Sequence, residues 1–101
     1  MTPILDLELP TSGIIQLLGY EHLMDETWEI SADCETVHII STMFNLEEGY
    51  DFLYITSSST SNYTGNESIS SILPGIFTVR FESDYSVTSD GFVLEWKCIN
   101  R

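Results

Sequence analysis

Three acidic residues stand where a cation could be held. Glu47 closes the short segment Phe44-Asn45-Leu46, Asp51 opens the segment 50–55, and Asp84 follows the segment 77–81. Carboxylates brought together repel one another unless a proton or a cation lies between them. Calcium takes about six to eight oxygen ligands, which carboxylates, main-chain carbonyls and water supply. Solvated loop acids are the plain alternative, since the chain carries 16 acidic residues and most of them must face water.

Other chemistries find no support in the residue pattern. Serine is abundant, yet there is no Gly-x-Ser-x-Gly elbow and no phosphate-cradling loop. His22 and His38 have no nucleophile partner in sequence, and His38, between Val37 and Ile39, points away from the core. Cys34 and Cys98 are too far apart for a metal or redox motif. Paired carboxylates can hydrolyse glycosides, but a chain of 101 residues offers little cleft for a sugar. The sequence therefore reads as non-catalytic.

The segments that must position the acids alternate with a period of two. Trp28, Ile30 and Ala32 alternate with Glu29 and Ser31; Val37 and Ile39 with Thr36 and His38; Phe77, Val79 and Phe81 with Thr78 and Arg80; Phe92, Leu94 and Trp96 with Val93, Glu95 and Lys97. Residues 50–55 alternate likewise. Such alternation sends successive side chains to opposite faces of a sheet, and β-branched and aromatic residues suit strands. Weaker strands are expected over residues 4–9, 14–18 and 68–73. Turns are expected at residues 10–13, 47–49, 57–66, 74–75 and 89–91, and residues 21–27 read as a loop. Trp28, Phe44, Phe52, Phe81, Phe92 and Trp96 are the expected core. Many short strands with frequent turns and no interleaved helices predict an all-β, antiparallel β-sandwich in one domain over residues 1–101.

Composition narrows the partners. Three basic against 16 acidic residues give a formal net charge of −13. Arg80, Lys97 and Arg101 form no basic patch, which excludes ordinary nucleic-acid binding and argues against docking on anionic lipid. No apolar run reaches the roughly 20 residues of a membrane span. No secretion signal is visible after Met1-Thr2-Pro3, and the expectation is a segment of a larger, multidomain protein from which any such signal has been removed. The sequons Asn62-Tyr63-Thr64 and Asn66-Glu67-Ser68 mark Asn62 and Asn66 as candidate glycosylation sites. Together with a potential disulfide they point to an extracellular chain.

Five motifs in order give a more specific reading: Thr27-Trp28-Glu29-Ile30, Phe44-Asn45-Leu46-Glu47, Tyr50-Asp51-Phe52-Leu53-Tyr54-Ile55, Phe81-Glu82-Ser83-Asp84-Tyr85-Ser86 and Gly91-Phe92-Val93-Leu94-Glu95-Trp96. Their order and approximate spacing resemble a CUB domain from about Gly13 to Trp96. The resemblance implies an extracellular jelly-roll β-sandwich that recognises protein partners. In its calcium-binding form it implies that Glu47, Asp51 and Asp84 hold one Ca2+ with Ser86, and that Tyr20 stands beside them.

That resemblance also implies a mode of recognition. The calcium ion orders the loops, and Glu47, Asp51 and Asp84, with Tyr20 nearby, then bind a Lys or Arg of an extracellular partner. A calcium-independent adhesive module that self-associates and a glycan-binding sandwich are the alternatives. The sequence departs from the family at its usual cysteines: Glu26 stands where one is common, and only Glu48-Gly49 separates Glu47 from Tyr50. Cys34 and Cys98 instead lie at strand ends in an extracellular-looking chain, and they are expected to form one disulfide.

Overall fold

The computed structural model describes residues 9–85 and 88–99. Six antiparallel strands run in chain order: β1 (Ser12–Leu18), β2 (Asp25–Asn45), β3 (Phe52–Thr56), β4 (Thr60–Tyr63), β5 (Ser70–Glu82) and β6 (Gly91–Ile99). Their hydrogen-bonded order is β1-β6-β2-β5-β3-β4. The strand expected over residues 4–9 lies outside the described residues, except for Leu9, which is not in a strand.

The order becomes a sandwich because β2 and β5 each serve both layers. Residues 36–45 of β2 pair with β6 and, through residues 36–40, with residues 70–74 of β5; β6 also pairs with β1. Residues 25–31 of β2 pair with residues 76–82 of β5, which pair in turn with β3, and β3 with β4. The β2–β5 register jumps between Ser31 and Thr36, where both strands turn the corner.

Pro74 and Gly75 are therefore not a turn between two strands, and the segments 28–32, 37–39 and 44–46 belong to one strand, ending at Asn45, rather than to three. A bend needs the same residues as a turn. Proline donates no ladder hydrogen bond, and a Cβ on Gly75 would meet the Cys34 carbonyl oxygen at 2.0 Å. The strand also begins earlier than expected, at Asp25 within the segment read as a loop. Asp25 lies opposite Glu82, and Arg80 secures it by donating from Nε and Nη2 at 2.9 and 2.8 Å. That guanidinium holds the Asp25 carboxyl below its usual range.

Alternate residues of both layers meet in the core. Val37 and Ile39 from β2, Leu53 and Ile55 from β3, Phe77, Val79 and Phe81 from β5, and Phe92, Leu94 and Trp96 from β6 are all buried. Rings meet across the layers, Phe81 on Phe92 at 5.5 Å and Phe77 on Trp96 at 6.1 Å between centroids. Phe44, Phe81, Phe92 and Trp96 are buried as expected, and Trp28 packs against the core while only partly buried. Phe52 is a correction. The inward face of β3 belongs to Leu53 and Ile55, so Phe52 is half-buried on the other face and stacks on Tyr54 at 6.1 Å.

Cys34 and Cys98 form a disulfide, as expected, tying the β2 corner to the end of β6. Thr11 O accepts from Cys98 N and Pro10 O from Asp33 N, each at 2.8 Å, so β1 enters at that same end. The bridge closes a sequence separation of 64, worth about 4 kcal/mol in the chain-entropy account. Replacing both cysteines by serine is predicted to lower the urea midpoint by an amount corresponding to about that loss. An unchanged midpoint would contradict a stabilising bridge.

Candidate metal centre

The opposite end of β6 carries the acids. β2 delivers Leu46 and Glu47 at its exit, the turn 47–51 delivers Asp51 to the start of β3, and the exit of β5 delivers Asp84. The turn is short because Glu47 O accepts from both Tyr50 N (3.2 Å) and Asp51 N (3.0 Å). Gly49 takes a φ of +82°, a left-handed conformation natural to glycine. One carboxylate oxygen from each of Glu47, Asp51 and Asp84 lies within 4.8 Å of the others.

Asp51 is the innermost of the three, with 0% exposure. Tyr20 Oη donates to its Oδ2 at 2.5 Å, and Asp84 N donates to its Oδ1 at 2.9 Å. Tyr20, 4% exposed, lies beneath the acids; its hydroxyl also accepts from Glu47 N at 3.3 Å, and its ring meets Phe81 at 4.7 Å. Burial first, and then the hydrogen bond to Asp51, push the Tyr20 phenol up to about 12. Glu47 differs from Asp51 in that its Oε1 is buried without a hydrogen-bond partner. An orphaned acceptor beside two further carboxylates, all hard oxygen donors, fits an oxygen-seeking cation such as calcium.

Several contributors were not singled out from sequence. Ser83 is buried; its Oγ accepts from Met24 N (2.8 Å) and donates to Glu21 O (2.7 Å), locking the segment after Tyr20 against the Asp84 strand end. Thr64, noted only as part of a sequon, donates from Oγ1 to Asp51 O at 2.7 Å and accepts from Gly49 N at 2.8 Å. Asn62 and Asn66 are exposed on either side of it, so the sequon loop adjoins the acidic end. His22 is exposed close to the acidic end. Ser86 lies outside the described residues.

No family model and no curated protein matches this sequence. Solved structures do. The full extracellular region of zebrafish Gpr126/Adgrg6 matches with a TM-score of 0.74 and 25% identity, over 86% of this chain and 13% of that one. The CUB1-EGF-CUB2 domain of human MASP-1/3 matches with a TM-score of 0.74 and 21% identity, over 90% and 42% of the two chains. The MASP-1 CUB2 domain bound to Ca2+ matches with a TM-score of 0.76 and 18% identity, over 89% and 95%. This chain thus spans less than half of each of the first two. It has the fold of a CUB domain, an all-β antiparallel sandwich.

The electrostatics of Glu47 give a measurable signature. Its carboxyl is raised from the ordinary 4.5, by burial first and then by the charges of Asp84 and Asp51. A raised folded value means that the native state holds the proton more tightly than the unfolded chain does. The associated stability is complete below 4.5 and is lost as pH rises through the folded value. Asp25, lowered from 3.8, acts oppositely: its stability is present above 3.8 and lost on acidification. In EDTA, Glu47→Gln is predicted to be more stable than the wild type at pH 7, with the difference vanishing below 4.5. Thermal unfolding across pH checks this, and parallel profiles for the two proteins would contradict it.

Proposed function

We propose that this domain is a non-catalytic extracellular recognition module whose acidic end is ordered by one Ca2+ and then captures a Lys or Arg of a protein partner. The observation that carries the reading is the convergence of Glu47, Asp51 and Asp84 within 4.8 Å, with Glu47 Oε1 buried and unpartnered. Glu47, Asp51 and Asp84 would hold the ion, with Ser86 completing the set proposed from the sequence. The bound ion supplies charge compensation for the clustered carboxylates.

Three carboxylates against one divalent ion leave a net charge of −3 + 2 = −1 at the centre. That residual charge, within a chain of net charge −13, favours a cationic side chain through charge-assisted hydrogen bonds and steers its approach. Tyr20 contributes from below by orienting Asp51. Exposed Leu23 (73%), Tyr50 (64%) and Tyr85 (77%) adjoin the acidic end and give the aliphatic stem of a Lys or Arg apolar surface to pack on. The acidic end bonds directly to the sequon loop at Thr64, so any glycan on Asn62 or Asn66 would border this surface. The comparisons support the reading at the level of the fold, and one of the matched domains is described as bound to Ca2+. No helix among the described residues is long and apolar enough to cross a membrane.

Extracellular calcium sites bind at about 10⁻⁴ to 10⁻³ M. At ten times the dissociation constant the ion stabilises by about 1.4 kcal/mol, which moves the thermal midpoint of a domain this size by about 5 to 10 °C. Calcium, and not magnesium, is predicted to produce that rise relative to EDTA. Asp84→Ala is predicted to abolish both the rise and the binding of a Lys- or Arg-bearing partner. Unchanged calcium affinity in that variant would overturn the assignment.

A further inference from the structure

Glu47 and Asp51 converge only if the five residues 47–51 keep one shape. That turn is far from the disulfide, which closes the other end of β6. Gly49 has open space where a side chain would stand and so gains no packing of its own. Tyr20 and Asp84 N hold the turn's two ends from the core side, and Thr64 holds it from the other loop. Its Oγ1 accepts from Gly49 N at 2.8 Å and donates to Asp51 O at 2.7 Å, with Glu47 O a second acceptor at 3.3 Å. One hydroxyl thus reaches the turn's middle residue and the main chain of both acids that the turn delivers.

Thr64 is itself fixed. Glu67 Oε2 accepts from Thr64 N at 3.0 Å, and Gly65 O accepts from Leu46 N at 2.8 Å, immediately before Glu47. The loop after β4 is therefore strapped across the end of β2 and the acidic turn. We infer that Thr64 is a positioning residue for the cation centre: its hydroxyl sets the spacing of the Glu47 and Asp51 carboxylates and so the affinity for the ion. The consequence for the ion rests on the calcium reading above; the consequence for the turn does not.

The test compares the wild type with Thr64→Val, which keeps the shape and removes the hydroxyl, and Thr64→Ser, which restores a hydroxyl. Asn62→Gln controls for the lost sequon. In metal-free protein, Thr64→Val is expected to speed amide exchange at Gly49 by about fivefold or more. Thr64→Ser and Asn62→Gln are expected to match the wild type in that exchange rate. By calorimetry with Ca2+ alone, Thr64→Val is expected to lose about tenfold or more in affinity, the usual scale for residues that orient a ligand, while Thr64→Ser stays near the wild type.

Thr64→Val with unchanged Gly49 exchange, or with unchanged Ca2+ affinity, would overturn the inference. Should that variant fail to fold, the wild type decides alone: a Gly49 amide exchanging at the free-peptide rate overturns it, and a protected one upholds it. A wild type that binds no calcium would defeat the calcium reading, while the metal-free measurements would still decide the role of Thr64.

Discussion

The carboxylate of Asp51 has no exposure to solvent, and the acidic end of the sandwich is arranged around it. Removing such a group from water is costly unless its oxygens find partners. Here Oδ2 is met by the Tyr20 hydroxyl and Oδ1 by the Asp84 amide. Those two bonds draw together three stretches of chain far apart in sequence: the segment after β1, the turn before β3 and the exit of β5. The convergence of acids follows from satisfying one buried charge, and the orphaned Glu47 oxygen is what that solution leaves over.

The sandwich gives this arrangement its rigidity. Because β2 and β5 each cross from one layer to the other, Glu47 and Asp84 are carried on strands anchored in both. The corner at residues 31–36, the close approach of Gly75 to Cys34 and the Cys34–Cys98 bond all lie at the other end. One end is thus closed covalently. The acidic end is held by hydrogen bonds and charge, and a bound ion can act there.

How far the sequence revealed this depends on the kind of signal. Period-two alternation marked β3, β6, two stretches of β2 and the second half of β5 because side-chain direction in a strand is fixed by parity, while β1 was only a weaker expectation. It did not reveal that β2 and β5 are continuous, since Pro74-Gly75 serves a corner as readily as a turn. Parity also failed at β3, where both faces are apolar: Phe52 and Tyr54 alternate with Leu53 and Ile55, and only packing decides which pair faces inward. Glu47, Asp51 and Asp84 stood out as acids at strand ends. Thr64 and Ser83 did not, because a hydroxyl that bonds main-chain atoms leaves no pattern in sequence, and sequon context drew Thr64 towards a different role.

The central claim is that these three carboxylates form a calcium site, and diffraction tests it most directly. Crystals grown in millimolar CaCl2, measured at a wavelength where calcium scatters anomalously, are predicted to show one peak about 2.3 to 2.6 Å from oxygens of Glu47, Asp51 and Asp84. The absence of a peak there, or a single calcium peak bound elsewhere, would contradict the account.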